Sequence, residues 1–544
     1  MSREPGFDEF LEAEITRRQL LQRLGVGGAL LSLPGIFAGS AWGRGARTWS
    51  SRDQAAANAV RGGVLKFARN EVPLSFDPTI PSDNGSIWVI YNIFDQLTTI
   101  NHDSSNVVPS LARSWDISRD GKTYTFHLRP GVKFSDGTRL TADDVVFSLH
   151  RAFAPKLDAY AFLFAPVKSI KALNSSTVQV KLTHPYAPFL QNLNVFPASI
   201  VSKAKYKANP KRFAQHPVGS GPFALKQFVK GQFTHLVRNP HYWKAGRPYL
   251  NEVMIRYVPD DNTRILKLQA GEIDAAANIP YAQIANLNKR SGLDVAIERL
   301  FRFDGIWLNN QKKPLNDVRV RQALNYATDK ESIVKNILFG HAEVANHMMP
   351  KEKYWLASVK PYPYDVKKAK ALISQSSAAK GFTLPLVVPT GDVIIQQVSQ
   401  VVKESWSKIG VHVQIQNLDI GTAYTNFSKG SYTAGSNWYI TSDVTAPDEL
   451  SAIEFDYTAP GGFNSFYSFY RSAKASALIH KAAASTSERT RAKLFGELQR
   501  LVMHDAPLVA LYFSPARTGL RSKVQNFRTV KTGWWRLEDV WLKA

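Results

Sequence analysis

The chain has 544 residues, 44% hydrophobic and 21% charged, a composition of folded globular proteins that excludes a disordered or fibrous chain. Single cores rarely grow beyond about 250–300 residues, so two or more lobes are expected. No cysteine is present, which removes disulfides, thiolate metal sites and cysteine nucleophiles, and the net charge of +24 raises nucleic acid and anionic surfaces as partners to be weighed.

Thr16-Arg17-Arg18-Gln19-Leu20-Leu21 precedes a mild apolar run, Leu24 to Ala41, that ends in the small residues Ala38-Gly39-Ser40-Ala41. A basic pair, an apolar stretch and small residues in that order read as a secretory signal over 1–41, cleaved near 41. The arginine pair resembles the twin-arginine export pattern, with Leu20 where Phe is usual. The run is short for a membrane span, and its glycines and Pro34 weaken it further. Residues 1–41 hold four Lys/Arg and five Asp/Glu, so the positive excess lies in the remainder. Its lysines and arginines form no run of five or more and read as a solvated surface. Residues 42–62 are small and polar, a linker before folded structure begins at Gly63.

Lys122 to Arg129 alternates as a half-buried strand, and Phe134-Ser-Asp-Gly137 is a turn. Thr141 caps an amphipathic helix with acids in its first turn. Val178 to Leu182 is a second alternating strand. Asp317 caps a helix running through Ala327, and Thr328 to Glu331 has capping-box spacing for the next. Strand 384–388, helix 392–409 and strand 411–415 form a βαβ unit, which requires a parallel sheet. The fold class is α/β.

Several long blocks then carry a resemblance. Leu111-Ala-Arg-Ser-Trp115 through Asp120-Gly-Lys-Thr-Tyr124 to Phe134-Ser-Asp-Gly137 is followed in order by Gly219-Ser-Gly-Pro-Phe223, Arg238-Asn-Pro-His-Tyr-Trp243, Val258-Pro-Asp-Asp-Asn-Thr-Arg264 and Pro314 to Ala327. Over about residues 63–540 the chain resembles the family 5 extracellular solute-binding proteins, the peptide-binding components of ABC importers. The resemblance implies a two-lobed periplasmic-binding-protein architecture of the cluster C type, with a hinge between lobes. Lobe I would cover 63–300, with an additional subdomain at about 98–217. Lobe II would cover 301–509, and 510–544 would return to lobe I.

The same resemblance implies the contacts. The family's ammonium-pairing Asp falls on Asp443, in the segment from Asn437 to Asp448, and a carboxylate in a closed cleft suits an ammonium because a buried charge must be paired. Trp438 and Tyr439 are candidates for its aromatic wall. Ile440 and Ala446 stand where the family often has Trp and an acid, so a peptide ligand is an inference with gaps. Ser82 and Asn84, in the segment equivalent to a family loop that lines the cleft, join the candidate set, and Asn464 enters it separately because Gly461-Gly462-Phe463-Asn464 reads as a flexible loop able to close on a ligand. The glycines of the shared blocks, Gly131, Gly137 and Gly221, are expected to serve turns.

The implied function is capture of a peptide-like or other small polar ligand and its delivery to the permease, by a periplasmic monomer exported through the Tat translocase. An oligosaccharide, an opine or a metal chelate is the alternative ligand. An enzyme is not expected, since G-x-S-x-G, Walker A and H-E-x-x-H are absent. No catalytic residue, metal ligand or cofactor is assigned. A nucleic-acid partner rests on charge alone and is not expected.

Overall fold

A computed structural model of the protein describes residues 59–80, 83–101, 103–154, 160–351, 353–441, 447–459, 465 and 467–543, with the backbone alone at 437–441. The signal and most of the linker expected before Gly63 lie outside the described residues. Alternation explains the strands that the sequence marks. In Thr123–Leu128, Tyr124, Phe126 and Leu128 turn inward, and in Thr177–Leu182 Val178, Val180 and Leu182 do the same. These two strands pair antiparallel and are flanked by Ala112–Ile117 and Val167–Asn174, giving a four-stranded sheet with its own core. The helix Ala142–Ala152 lies against that sheet. Its capping box is real: the Asp144 carboxylate accepts from Thr141 N and Thr141 Oγ1, each at 2.9 Å.

Two larger sheets organise the rest. The first has seven strands in the order 293–298, 516–521, 275–276, 64–69, 252–257, 233–238, 223–229. The second has six, in the order 343–344, 508–513, 302–308, 434–441, 382–389, 411–418. Phe382–Pro389 and Val411–Leu418 pair parallel across the helix Val393–Ser407, which is the expected βαβ unit. The strand Leu508–Phe513 is paired in the second sheet, so the chain rejoins the first only at Ala516, later than the expected 510.

One sequence assignment is corrected. The cap after Ala327 is Asp329, whose carboxylate accepts from Ser332 N at 3.0 Å. Thr328 instead donates to the Leu324 carbonyl at 2.7 Å and accepts from Trp406 Nε1 at 2.9 Å. A buried indole N–H needed an acceptor, and the hydroxyl nearest it was not free to cap.

The shared sequence blocks converge on the end of the helix Asn84–Ile93. Gly221 N donates to the Ile93 carbonyl at 2.9 Å, and a Cβ on Gly219 would collide with that oxygen. Gly131 and Gly137 do sit at positive φ in turns; Gly219 and Gly221 are required for close approach instead. Two residues on, the buried Asp95 carboxylate accepts from Ser220 Oγ at 3.1 Å and from Trp243 Nε1 at 2.9 Å. Burial pushes this carboxyl up to about 7.

The chain passes between the two large sheets twice, from Glu298 to Arg302 and from Phe513 to Ala516. Both passages meet at Asp304. Its buried carboxylate accepts from Arg302 Nη2 at 3.2 Å on its own strand and from Ser514 Oγ on the other passage. Burial pushes Asp304 up, and Arg302 pulls against that. Beside it the Arg517 guanidinium lies over the Tyr281 ring at 3.8 Å and donates to the Ile279 carbonyl at 2.7 Å. Beneath these groups one apolar core runs from Leu268, Ile279 and Val295 of the first sheet's side to Ile306, Leu308 and Leu511 of the second.

Two outcomes are expected. Asp95 keeps a proton in the folded state that the unfolded chain releases, so its contribution to stability falls as pH rises between about 4 and 7. Neighbouring Glu538, though itself buried, is held at about 2 mainly by Lys244 and Arg536 and titrates below that window. Melting temperature measured from pH 5 to pH 7.5 should therefore fall less in Asp95→Asn than in the parent protein; an equal slope in both would refute the assignment. Asp304→Ala should cost about 3 kcal/mol or more in urea unfolding, because two guanidiniums are left beside a vacated buried site, and Asp304→Asn should cost less.

Candidate ligand site

Where the two passages leave the sheets, the second sheet presents its candidate residues. The strand Arg302–Leu308 pairs antiparallel with Ala434–Thr441, setting Gly305 opposite Trp438, Asp304 opposite Tyr439 and Arg302 opposite Thr441. Trp438 and Tyr439 therefore sit at register positions level with the buried crossing residues. Asp443 follows Thr441 by two residues in sequence and lies outside the described residues, as do Ser82 and Asn464.

The chain resumes as the helix Asp448–Phe455, which is short and acidic yet buried: Asp448, Glu449 and Glu454 are all shielded from solvent. Such charges persist only when paired. Arg491 Nη2 donates to Asp448 at 2.6 Å, and Arg491 Nη1 donates to the Ala482 carbonyl at 2.7 Å. Burial pushes the Asp448 carboxyl up, while Arg491 pulls it down. Asp456, just beyond the helix, pairs with His480 Nε2 at 2.7 Å.

A second segment borders the same helix. Glu343 and Val344 pair with Phe513 and Tyr512 at the sheet edge, immediately before the second passage. The chain then runs through His347, Met348 and Met349, whose methionines join the core of Phe303, Leu450 and Phe455. Lys330 Nζ donates to the Ala345 carbonyl at 3.3 Å, and burial pulls this lysine down to about 7. His347 is buried 4.7 Å from the Trp355 ring, and burial pushes its imidazole down to about 4, so it is neutral at physiological pH.

On the first sheet's side, Asn84 opens the helix Asn84–Ile93. Asp83 caps it, accepting from Ser86 N at 2.8 Å and Ser86 Oγ at 2.9 Å. The Asn84 carbonyl accepts from the buried Arg69 at 3.3 Å, and the Arg69 guanidinium lies over the rings of both Trp88 and Trp535, at 5.0 and 4.7 Å, which meet edge to face. The backbone at Asn84 is thus a fixed part of the scaffold.

The two sides also meet away from the passages. Ala187 N, beside the four-stranded sheet, donates to the Ala483 carbonyl at 2.8 Å. Tyr186 is buried there; burial and the Asp448 carboxylate push its phenol up. Phe162 packs on the core of the second lobe. The lobes therefore touch in two places, at the passages and at Ala187–Ala483.

Sequence reasoning missed Asp304, Asp448, Arg491 and His347. Only the helix had a readable signal: the acids of Asp448-Glu449-Leu-Ser-Ala-Ile-Glu454-Phe-Asp456 alternate with apolar residues too densely for a solvated face. Among the described residues no group of three or more His, Asp or Glu is placed to hold a metal ion, and no helix is long and apolar enough to cross a membrane.

Comparison with known proteins extends the site to a family. The dipeptide-binding protein of Escherichia coli K12 is 30% identical over 516 residues, which cover 89% of this chain and 95% of that protein. Heme-binding protein A of Haemophilus influenzae is 28% identical, covering 88% and 92%. The periplasmic binding protein DppA of Helicobacter pylori, solved in complex with the peptide STSA, superposes with a TM-score of 0.81 at 29% identity, over 90% of this chain and all of that one. That superposition extends over both lobes of this chain. Residues 106–483 match the family described as bacterial extracellular solute-binding proteins, family 5 Middle, and the chain belongs to that family.

Proposed function

We propose that this protein captures a small peptide or peptide-like solute between its two lobes and hands it to the permease of an ABC importer. The observation that carries the reading is the near-complete coverage of a dipeptide-binding relative, 95% of its length, by a chain with two lobes and two passages. Function in this fold lives in the residues that face the ligand. On this side Asp443 is the partner for a ligand ammonium, with Trp438 and Tyr439 beside it; Ser82, Asn84 and Asn464 are the polar contacts. Residues 1–41 act as a twin-arginine signal, and the mature protein works as a periplasmic monomer. Closure bends the two passages and brings the lobes together around the ligand.

The relationship to heme-binding protein A supports a second reading, a metal chelate as ligand. A thermal-shift panel separates the two. Short peptides, oligosaccharides, opine-like conjugates, haem and chelated nickel are each added to the mature protein. A ligand at about 100 times its dissociation constant stabilises by about 2.7 kcal/mol. The peptide reading expects a shift with peptides that disappears in Asp443→Ala. A shift with chelates or sugars alone would discard it. Small-angle scattering with the stabilising ligand should show a smaller radius of gyration; an unchanged radius would remove closure.

A further inference from the structure

The positive charge of this protein is not evenly spread. The helices Ala473–Ala484 and Glu488–Asp505 pack together through Ala475, Leu478, Ile479, Phe495, Leu498 and Val502, and their outer faces are open to solvent. Arg489, Lys493 and Arg500 recur at steps of four and seven residues, which places them on one stripe of a helix about 27 Å long. Lys474 and Lys481, two turns apart, are exposed on the neighbouring helix. Among the described residues none of these five is ion-paired. The one exposed acid on the two helices, Glu488, is held by Lys353 Nζ at 2.9 Å, while Glu497 and Asp505 are half-buried and Asp505 is paired with His504 Nδ1 at 3.0 Å.

The face continues sideways. Gln322 of the helix Val318–Ala327 donates to the His504 carbonyl at 2.7 Å, and the helix Val366–Ser374 packs beyond it with Lys367, Lys368 and Lys370 exposed. Elsewhere acids interrupt the surface: Asp116, Asp120, Asp260, Asp261, Glu272 and Asp294 are all exposed. This layer of the second lobe therefore carries a segregated cationic field rather than its share of a uniform one.

The chemistry of the face selects its partner. None of the exposed large apolar side chains, such as Leu74, Ile80, Leu266 or Val393, lies on these four helices. A protein interface wants a desolvated apolar or aromatic centre, and this face has none. An array of anionic headgroups asks only for charge at its surface. We propose that this helical layer is a docking surface for anionic phospholipid, which holds the protein reversibly against a membrane without insertion. The binding is electrostatic and so is screened by salt. It does not depend on which solute the cleft takes, so the vesicle assay and the ligand panel fail separately.

The test is co-sedimentation of the mature protein with vesicles of phosphatidylcholine alone or mixed with phosphatidylglycerol, at low and high salt, with duplex DNA as a competitor. The protein should pellet with the mixed vesicles only and be released by salt. Arg489→Glu/Lys493→Glu/Arg500→Glu should weaken binding by about tenfold or more. A control with the same change in net charge, Lys168→Glu/Lys171→Glu/Lys181→Glu on the exposed face of the four-stranded sheet, should bind as the parent does. The glutamine triple at 489, 493 and 500 repeats the measurement with less repulsion should the first variant lose its circular dichroism. Failure to pellet with phosphatidylglycerol would overturn the proposal, as would equal loss in the control variant, or displacement by DNA at concentrations where its phosphate is far below that of the lipid.

Discussion

One buried carboxylate holds the plan together. Asp304 lies on the second sheet just after the chain's first passage, bonded by Arg302 of its own strand, and its second oxygen is bonded from the other passage through Ser514. A charge in that position demands partners, and the partners available come from both strands. The two passages are thereby tied into one ribbon just inside the second sheet. Any change in the separation of the lobes must be taken up outside that knot, in the few residues 299–301 and at Pro515. Arg517, stacked on Tyr281 and bonded to the Ile279 carbonyl, fixes the other end of the same short span.

The division of labour between scaffold and site follows. The blocks most easily read in the sequence meet around Ile93 and Asp95: two glycines that admit a backbone, a serine and a tryptophan that satisfy one buried carboxylate. These contacts position the helix Asn84–Ile93, which Asn84 opens. A scaffold specified this tightly leaves the surrounding loops free to change, which fits relatives named for ligands as unlike as a dipeptide and haem.

Local chemistry was legible and long-range chemistry was not. The alternation of Thr123–Leu128, the cap at Thr141 and the βαβ unit at 382–418 each depend on residues within one or two elements, and each is where the sequence puts it. Thr328 misled because its hydroxyl was needed by Trp406, 78 residues away. Gly221 suggests a turn and serves an approach to Ile93, a contact no local pattern encodes. The pairing of Asp448 with Arg491 spans 43 residues, so from sequence each is only a charge. Of the candidate contacts, Asn84, Trp438 and Tyr439 fall on elements with a defined place, while Asp443, Ser82 and Asn464 lie outside the described residues and rest on the sequence alone.

The position of Ala516–Arg521 has a consequence for the order in which this molecule can be made. That strand lies between 275–276 and 293–298, so the first sheet has a gap one strand in from its edge until the last part of the chain arrives. The second lobe, contained within 302–513, can close on itself earlier; the first, begun at residue 64, is finished last. A nascent chain therefore carries an open sheet edge through almost the whole of its synthesis, the kind of long-range closure that folds slowly and exposes strands to misassembly. Loss of a few tens of residues from the C-terminus would spare the second lobe's sheet and leave the N-terminal lobe without its keystone.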